Sequence, residues 1–220
     1  MMWTQPAMFL TTLWRRMIQP AMNIKNKQRL RQMRLLAALL LLFLALILFG
    51  FILPNCLWPL VPPMRNPDLL VAVLAGIVIG AAYGLNRAGH YEIAARLAVI
   101  GFSFAIFAST MAGLAGLHPQ YAAQDSIGLL SYLIIPVFVS RMFLTLRFTL
   151  KIIVVYAGAM FLLPVIFTHL AFMQIVNDPL LFLFALSVFV LLAAHHRDEM
   201  EKERLQELAA SENRYRTLAE

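Results

Sequence analysis

Long apolar runs alternate with short polar clusters along this chain. A helix needs about 20 consecutive apolar residues, roughly 17–25, to cross the hydrocarbon core of a bilayer. Six runs approach or meet that length: Met33–Leu53, Asp68–Leu85, Glu92–Leu117, Ser126–Leu146, Thr149–Phe172 and Pro179–Ala194. Pro54 is expected to close the first. The pattern predicts an all-α fold, a polytopic membrane helix bundle of about six transmembrane helices. Residues 1–32 precede it as a basic, partly amphipathic segment, and residues 195–220 follow it as a charged helical extension. Between Trp3 and Ile18, apolar Trp3, Phe9, Leu10, Leu13, Trp14, Met17 and Ile18 stand beside Arg15 and Arg16. That segment suits the surface of a leaflet, although Pro6 and Pro20 limit any helix there.

Composition agrees with this picture. The 220 residues are 61% hydrophobic and 13% charged, against about 45–50% and about 25% in soluble domains. The net charge of +7 would suit nucleic acid, but its placement argues for a membrane instead. Seven of the eighteen Lys and Arg residues lie between Arg15 and Arg34, just ahead of the first apolar run. With an inside N-terminus, seventeen of the eighteen fall on the inner side, and Arg65 alone falls outside. The positive-inside rule favours that asymmetry. An odd helix count would put the basic tail outside. The expectation is therefore six helices, with both termini in the cytoplasm and the bacterial inner membrane as the site. Neither a cleavable signal peptide nor a nucleic-acid partner is expected. The lipid bilayer is.

Polar residues inside the runs supply the candidate chemistry. Ala72, Gly76, Gly80 and Gly84 recur every four residues and predict a smooth packing face on helix two, used within the bundle or in a homodimer. Pro136 and Pro164 fall within helices four and five. They are hinge candidates, because each removes a backbone hydrogen bond. His118 and His169 belong near the outer ends of helices three and five, with Asp125 and Asp178 at similar depth. Such a set would suit a divalent metal, or the histidines a haem. No local ligand pattern such as HxxxH accompanies them, and no cofactor is required by the sequence. Arg141 sits within reach of the inner boundary, where snorkelling explains it. An ion-path role would pair it with Glu92 or Arg96, which lie at similar depth. His90 reads as a turn residue, and His195 and His196 as exit residues of helix six. Cys56 is the single cysteine. Tyr83, Ser103, Ser109, Thr110, Ser131, Tyr132 and Tyr156 are expected to satisfy backbone or neighbouring helices. Phosphate-loop, HExxH and GxSxG motifs are absent, as are acidic groups at helix centres that would mark an ion carrier.

The composition changes abruptly after Ala194, to His195-His196-Arg197-Asp198-Glu199-Met200-Glu201-Lys202-Glu203-Arg204. No Pro or Gly interrupts the stretch, so helix six is expected to continue out of the bilayer. Leu205, Leu208, Glu212, Tyr215 and Ala219 follow 3-4 spacing, and Leu205, Leu208 and Tyr215 are the expected relay positions. The residues Ser211-Glu212-Asn213-Arg214-Tyr215-Arg216-Thr217-Leu218 resemble the opening of PAS domains in bacterial signalling proteins, which commonly reads Ser-Glu-x-x-Tyr-Arg-x-Leu. The resemblance covers about ten residues. It implies a membrane sensor region feeding a PAS domain beyond Glu220 and an output. The output would be a histidine kinase of a two-component system most often, and a diguanylate cyclase or phosphodiesterase otherwise. It also implies a homodimer. From the residues alone, a small transporter, a haem- or metal-binding membrane protein and a plain anchor remain open.

Overall fold

The computed structural model describes residues 27–57, 67–117, 123–167, 175 and 179–219. These residues form helices and short connections, with no strand among them. The Trp3–Ile18 segment lies outside the described residues, as do His118, His169, Asp178 and Arg65.

Helix α1 runs over Lys27–Ile47, widens into a π-helical turn at Leu48–Ile52 and ends as Leu53–Leu57. Pro54 therefore does not close it. In the wide turn the Leu53 amide donates to the Leu48 carbonyl, five residues back. That loosened register accommodates a residue with no N–H of its own. Helix α2 is Pro67–Arg87. Proline at its first position costs nothing, because that amide would lack a helical acceptor, and Asp68 in the first turn complements the dipole.

Glycine C-caps end α2 and α3. Gly89 adopts φ 92°, with His90 N–H donating to Leu85 O and Gly89 N–H to Asn86 O. The same pair of bonds recurs at Gly116, φ 71°, from Leu117 to Ala112 and from Gly116 to Gly113. This is why α3, Tyr91–Leu114, stops short of Leu117. Left-handed backbone is easy only for glycine.

Helix α4 is composite: Ala123–Gly128, a 3₁₀ stretch Leu129–Leu133 and Ile134–Phe143. It turns into α5, Leu146–Ile166, through Leu144 and Thr145 rather than around Arg147. Thr145 is the N-cap, its hydroxyl accepting from Phe148 N–H at 3.4 Å. Helix α6 spans Leu181–Ala219, 39 residues without a break.

Among the described residues, five helical segments are long and apolar enough to cross a membrane: Arg29–Leu57, Pro67–Arg87, Tyr91–Leu114, Ser126–Phe143 and Leu146–Ile166. The apolar part of α6, Leu181–His196, is shorter. The surface of the bundle fits that role. Val154 is 70% exposed, Val165 71% and Phe49 65%, among many large apolar side chains in the same condition. A soluble monomer does not leave apolar area of this extent to water. A bundle in lipid has no reason to hide it.

Two cores fill the interior. One joins α1 to α4 near the α2–α3 and α4–α5 turns, around Leu36, Leu40, Ile79, Ala98, Val139 and Phe143. The other joins α3 to α6 toward the opposite end, around Leu114, Leu130, Val137, Met160 and Leu183. Small residues let α2 and α3 approach closely, with Ala72, Ala75 and Ala82 buried on α2 and a denser set on α3. Ala94, Ala95, Ala98 and Gly101 are all buried there, and a Cβ added at Gly101 would stand 2.5 Å from Val78 Cγ1. Phe43 and Phe102 add an edge-to-face contact between α1 and α3, 4.2 Å between ring centres.

Candidate functional site

Helix α4 belongs to both cores, and its geometry changes on the way. Leu130, Leu133 and Val137 enter the α3–α6 core. Val139 and Phe143 enter the other core. Pro136 is buried too, just ahead of Val137 and Val139, where the helix passes from one core to the other. Immediately before it, the 3₁₀ stretch tightens the backbone, with Ile134 N–H directed at the Ser131 and Tyr132 carbonyls. A mid-helix 3₁₀ turn next to proline is a local weakness in an otherwise cooperative ladder. Helix α6 packs against this same helix and places Leu183 in the shared core. Ser187, also buried on α6, has no hydrogen-bond partner for its hydroxyl among the described residues.

Polar ties cross the bundle at several depths. Asn86 Nδ2 donates to Met33 O at 2.8 Å, fixing α2 to α1. Tyr156 and Ser103 join α5 to α3 by their hydroxyls, while Ser103 Oγ donates to Val99 O at 2.6 Å. Ser140 and Thr149 are hydroxyl partners at 2.9 Å across the α4–α5 turn. Ser109 Oγ donates to Asp68 Oδ1 at 3.4 Å toward the far end of α2 and α3. Thr110 bonds its own helix at Ile106 O, 2.9 Å. In a medium without water, each such group needs a partner.

A recess of about 260 Å³ opens at the end of the bundle that holds the short turns. Gln32 of α1, Tyr91, Glu92 and Arg96 of α3, Arg141 of α4, and Thr145 and Phe148 of α5 line it. Glu92 and Arg96 are one helical turn apart and pair at 3.9 Å, both more than half exposed, so the pair itself contributes little stability. The Arg96 guanidinium also lies 5.7 Å from the Phe148 ring centre. Next to the recess, Arg29 lies over Tyr91 at 5.3 Å. Arg141, Glu92 and Arg96, linked in the sequence only by similar depth, thus share one site.

Other sequence candidates fall elsewhere. Of the small-residue stripe on α2, Ala72 is buried and a Cβ added at Gly76 would stand 3.7 Å from Ile47 Cγ2, while one added at Gly80 or Gly84 meets nothing within 4 Å. Pro164 is not mid-helix. It lies in the last turn of α5, two residues before Ile166, where Phe167 N–H caps Leu163 O. Asp125 lies on the first segment of α4, its side chain outside the described set, and its suggested companions His118 and His169 are likewise outside. Among the described residues, no group of three or more His, Cys, Asp or Glu is placed to hold a metal. Leu205, Leu208 and Tyr215 all lie on α6, and Leu208 is 60% exposed. His90 is the N-cap residue of α3, its carbonyl accepting from Ala94 N–H at 3.0 Å and its side chain making no cap hydrogen bond. His195 contacts Glu199 one turn on, at 3.1 Å, with both side chains exposed. Cys56 is exposed and unpaired with any other cysteine.

Comparison with protein-family models, with curated proteins and with solved structures returned no match for this chain.

Proposed function

We propose that this chain is the membrane input module of a bacterial signalling protein, which passes a stimulus through α6 to a PAS domain and an output, most simply a histidine kinase. In this reading α6 supplies the sixth span, both termini face the cytoplasm of a bacterial inner membrane, and the module works as a homodimer. One observation carries it. Helix α6 is uninterrupted from Leu181 to Ala219, and its apolar half rests on the α4 segment that contains Pro136. At about 1.5 Å per residue such a helix is about 58 Å long, roughly twice the about 30 Å of a bilayer core. Its second half therefore stands clear of the bundle and moves with the first. The residues Ser211–Leu218 and their likeness to a PAS opening give that motion a destination.

The relay requires that the stimulus favour one of two bundle arrangements over the other. The test uses the full parent protein with Cys56→Ser and with Leu205→Cys or Leu208→Cys, oxidised in membranes while lipid composition, tension and ionic conditions are varied together with output. Crosslinking that tracks output is expected. Crosslinking that stays the same in every condition, while output is still regulated, sinks the helix relay.

A further inference from the structure

We propose that α6 has a second packing position on α4, in which the Ser187 hydroxyl donates to the Tyr132 carbonyl beside Pro136. This does not depend on a PAS domain or on any output beyond α6. Ser187 is 2% exposed, and its Oγ has no hydrogen-bond partner. A buried hydroxyl left unpaired is unfavourable, and apolar surroundings offer it no water. Its own helix presents the Leu183 carbonyl one turn back, yet the hydroxyl is not bonded to it. The unpaired group stands where α6 meets the bundle. Leu183, one turn before Ser187, is buried in the core that holds Leu130, Leu133 and Val137 of α4. Helix α6 packs on the 3₁₀ stretch of α4 and on the segment that follows it.

The facing helix carries the complementary shortage, of a donor. Pro136 has no N–H, so the amide that an α-helix would direct at Tyr132 O does not exist. The Ile134 amide turns toward Tyr132 O but is shared with Ser131 O, and a carbonyl oxygen can accept two hydrogen bonds. Both helices run from the Leu130–Leu183 core toward the end with the short turns. Ser187 therefore lies one turn beyond Leu183 in the direction in which α4 passes from Leu133 to Pro136 and Val137. Little holds α6 to one position. Leu183 and Ser187 are buried, but Phe182, Phe184, Val188, Phe189 and Leu192 around them are exposed. Packed helices shift against each other by about 1–2 Å or by small rotations. One neutral hydrogen bond gained is worth about fivefold in an equilibrium constant, enough to decide between two nearly equal positions.

The experiment reads the Tyr132 carbonyl itself. Tyr132-Leu133 is the single Tyr-Leu pair in the sequence. Isotope labels on the tyrosine carbonyl carbon and the leucine nitrogen therefore isolate this group, through their one-bond coupling, in solid-state NMR of the full chain in lipid bilayers. The parent chain is expected to show a downfield, more strongly hydrogen-bonded component that Ser187→Ala loses. In a Pro136→Ala chain the restored amide serves Tyr132 O, so adding Ser187→Ala there should leave the signal unmoved. A Tyr132 signal identical in the parent and in Ser187→Ala overturns the proposal. So does an equal shift from Ser187→Ala in both backgrounds, which would mark general repacking or a hydroxyl that serves its own helix at Leu183 O. Neither result touches the relay, whose test is the crosslinking of the cytoplasmic half of α6.

Discussion

Gly101 shows how a single hydrogen can set the distance between two helices. An alanine Cβ there would stand 2.5 Å from Val78 Cγ1 and 3.3 Å from Val78 Cβ. A β-branched side chain has little freedom to turn aside, so the helices must part. Gly101→Ala is expected to cost about 1–3 kcal/mol, read as an earlier midpoint in detergent-induced unfolding, and Val78→Ala in the same chain should recover most of the loss. Gly80→Ala should leave the midpoint unmoved, since nothing lies within 4 Å of the new methyl group. The sequence pointed to the opposite glycines, for a geometric reason. Residues four apart on a helix advance by about 40° around its axis at each step, so the ladder Ala72, Gly76, Gly80, Gly84 winds off the face it starts on. The buried row of α2 mixes steps of three and four instead, through Leu69, Ala72, Ala75, Ile79, Ala82 and Asn86. The usable signals were Ala94 and Ala98 four apart on α3 and an isolated glycine inside a helix, which ordinarily has a packing reason.

At the scale of the element, three prolines have three outcomes, and proline alone predicts none of them. Pro54 is absorbed by a π turn, Pro164 falls in a final turn and Pro136 is buried at the joint between two cores. The difference lies in what surrounds each ring, which is tertiary information. Helix ends were more legible where the punctuation was chemical. Pro67 and Asp68 mark the start of α2, and Gly89 its end. Gly116 and Thr145 carried the same kind of signal and set the α3 end and the α4–α5 turn, yet hydropathy runs straight past both because their neighbours are apolar. If Pro136 holds Leu129–Leu133 in the 3₁₀ form, Pro136→Ala should restore one amide donor and let the stretch adopt stronger α-helical bonds. Hydrogen exchange in that stretch is then expected to slow about three- to tenfold, the equivalent of one added hydrogen bond. Pro164→Ala should affect only the last turn of α5. Equal slowing by both substitutions would remove the special place given to α4.

Across the whole molecule, the arrangement of charge was plain in the sequence and the meeting of charges was not. Alternating apolar runs dictate that helix ends share one of two levels, so Arg87, Arg96, Arg141 and Arg147 had to cluster at one end. Which of them face a common recess depends on the rotation of each helix about its own axis, and that is decided by side-chain packing in the core. The same dependence on rotation makes α6 testable as a rigid rod. Each residue turns the helix by about 100°, so inserting one residue between Arg197 and Arg204 swings everything beyond it by that angle. Seven inserted residues bring the face back to within about 20°. In a Cys56→Ser chain carrying Leu208→Cys, disulfide formation between two copies should fall sharply with the single insertion and return with seven. A free extension with no defined partner face would crosslink equally in both, because nothing would hold position 208 at a particular angle. The outcome therefore depends on two properties at once, the continuity of the helix through the charged segment and the presence of a second copy along the Leu205–Leu208–Tyr215 seam, and a relay through α6 needs both.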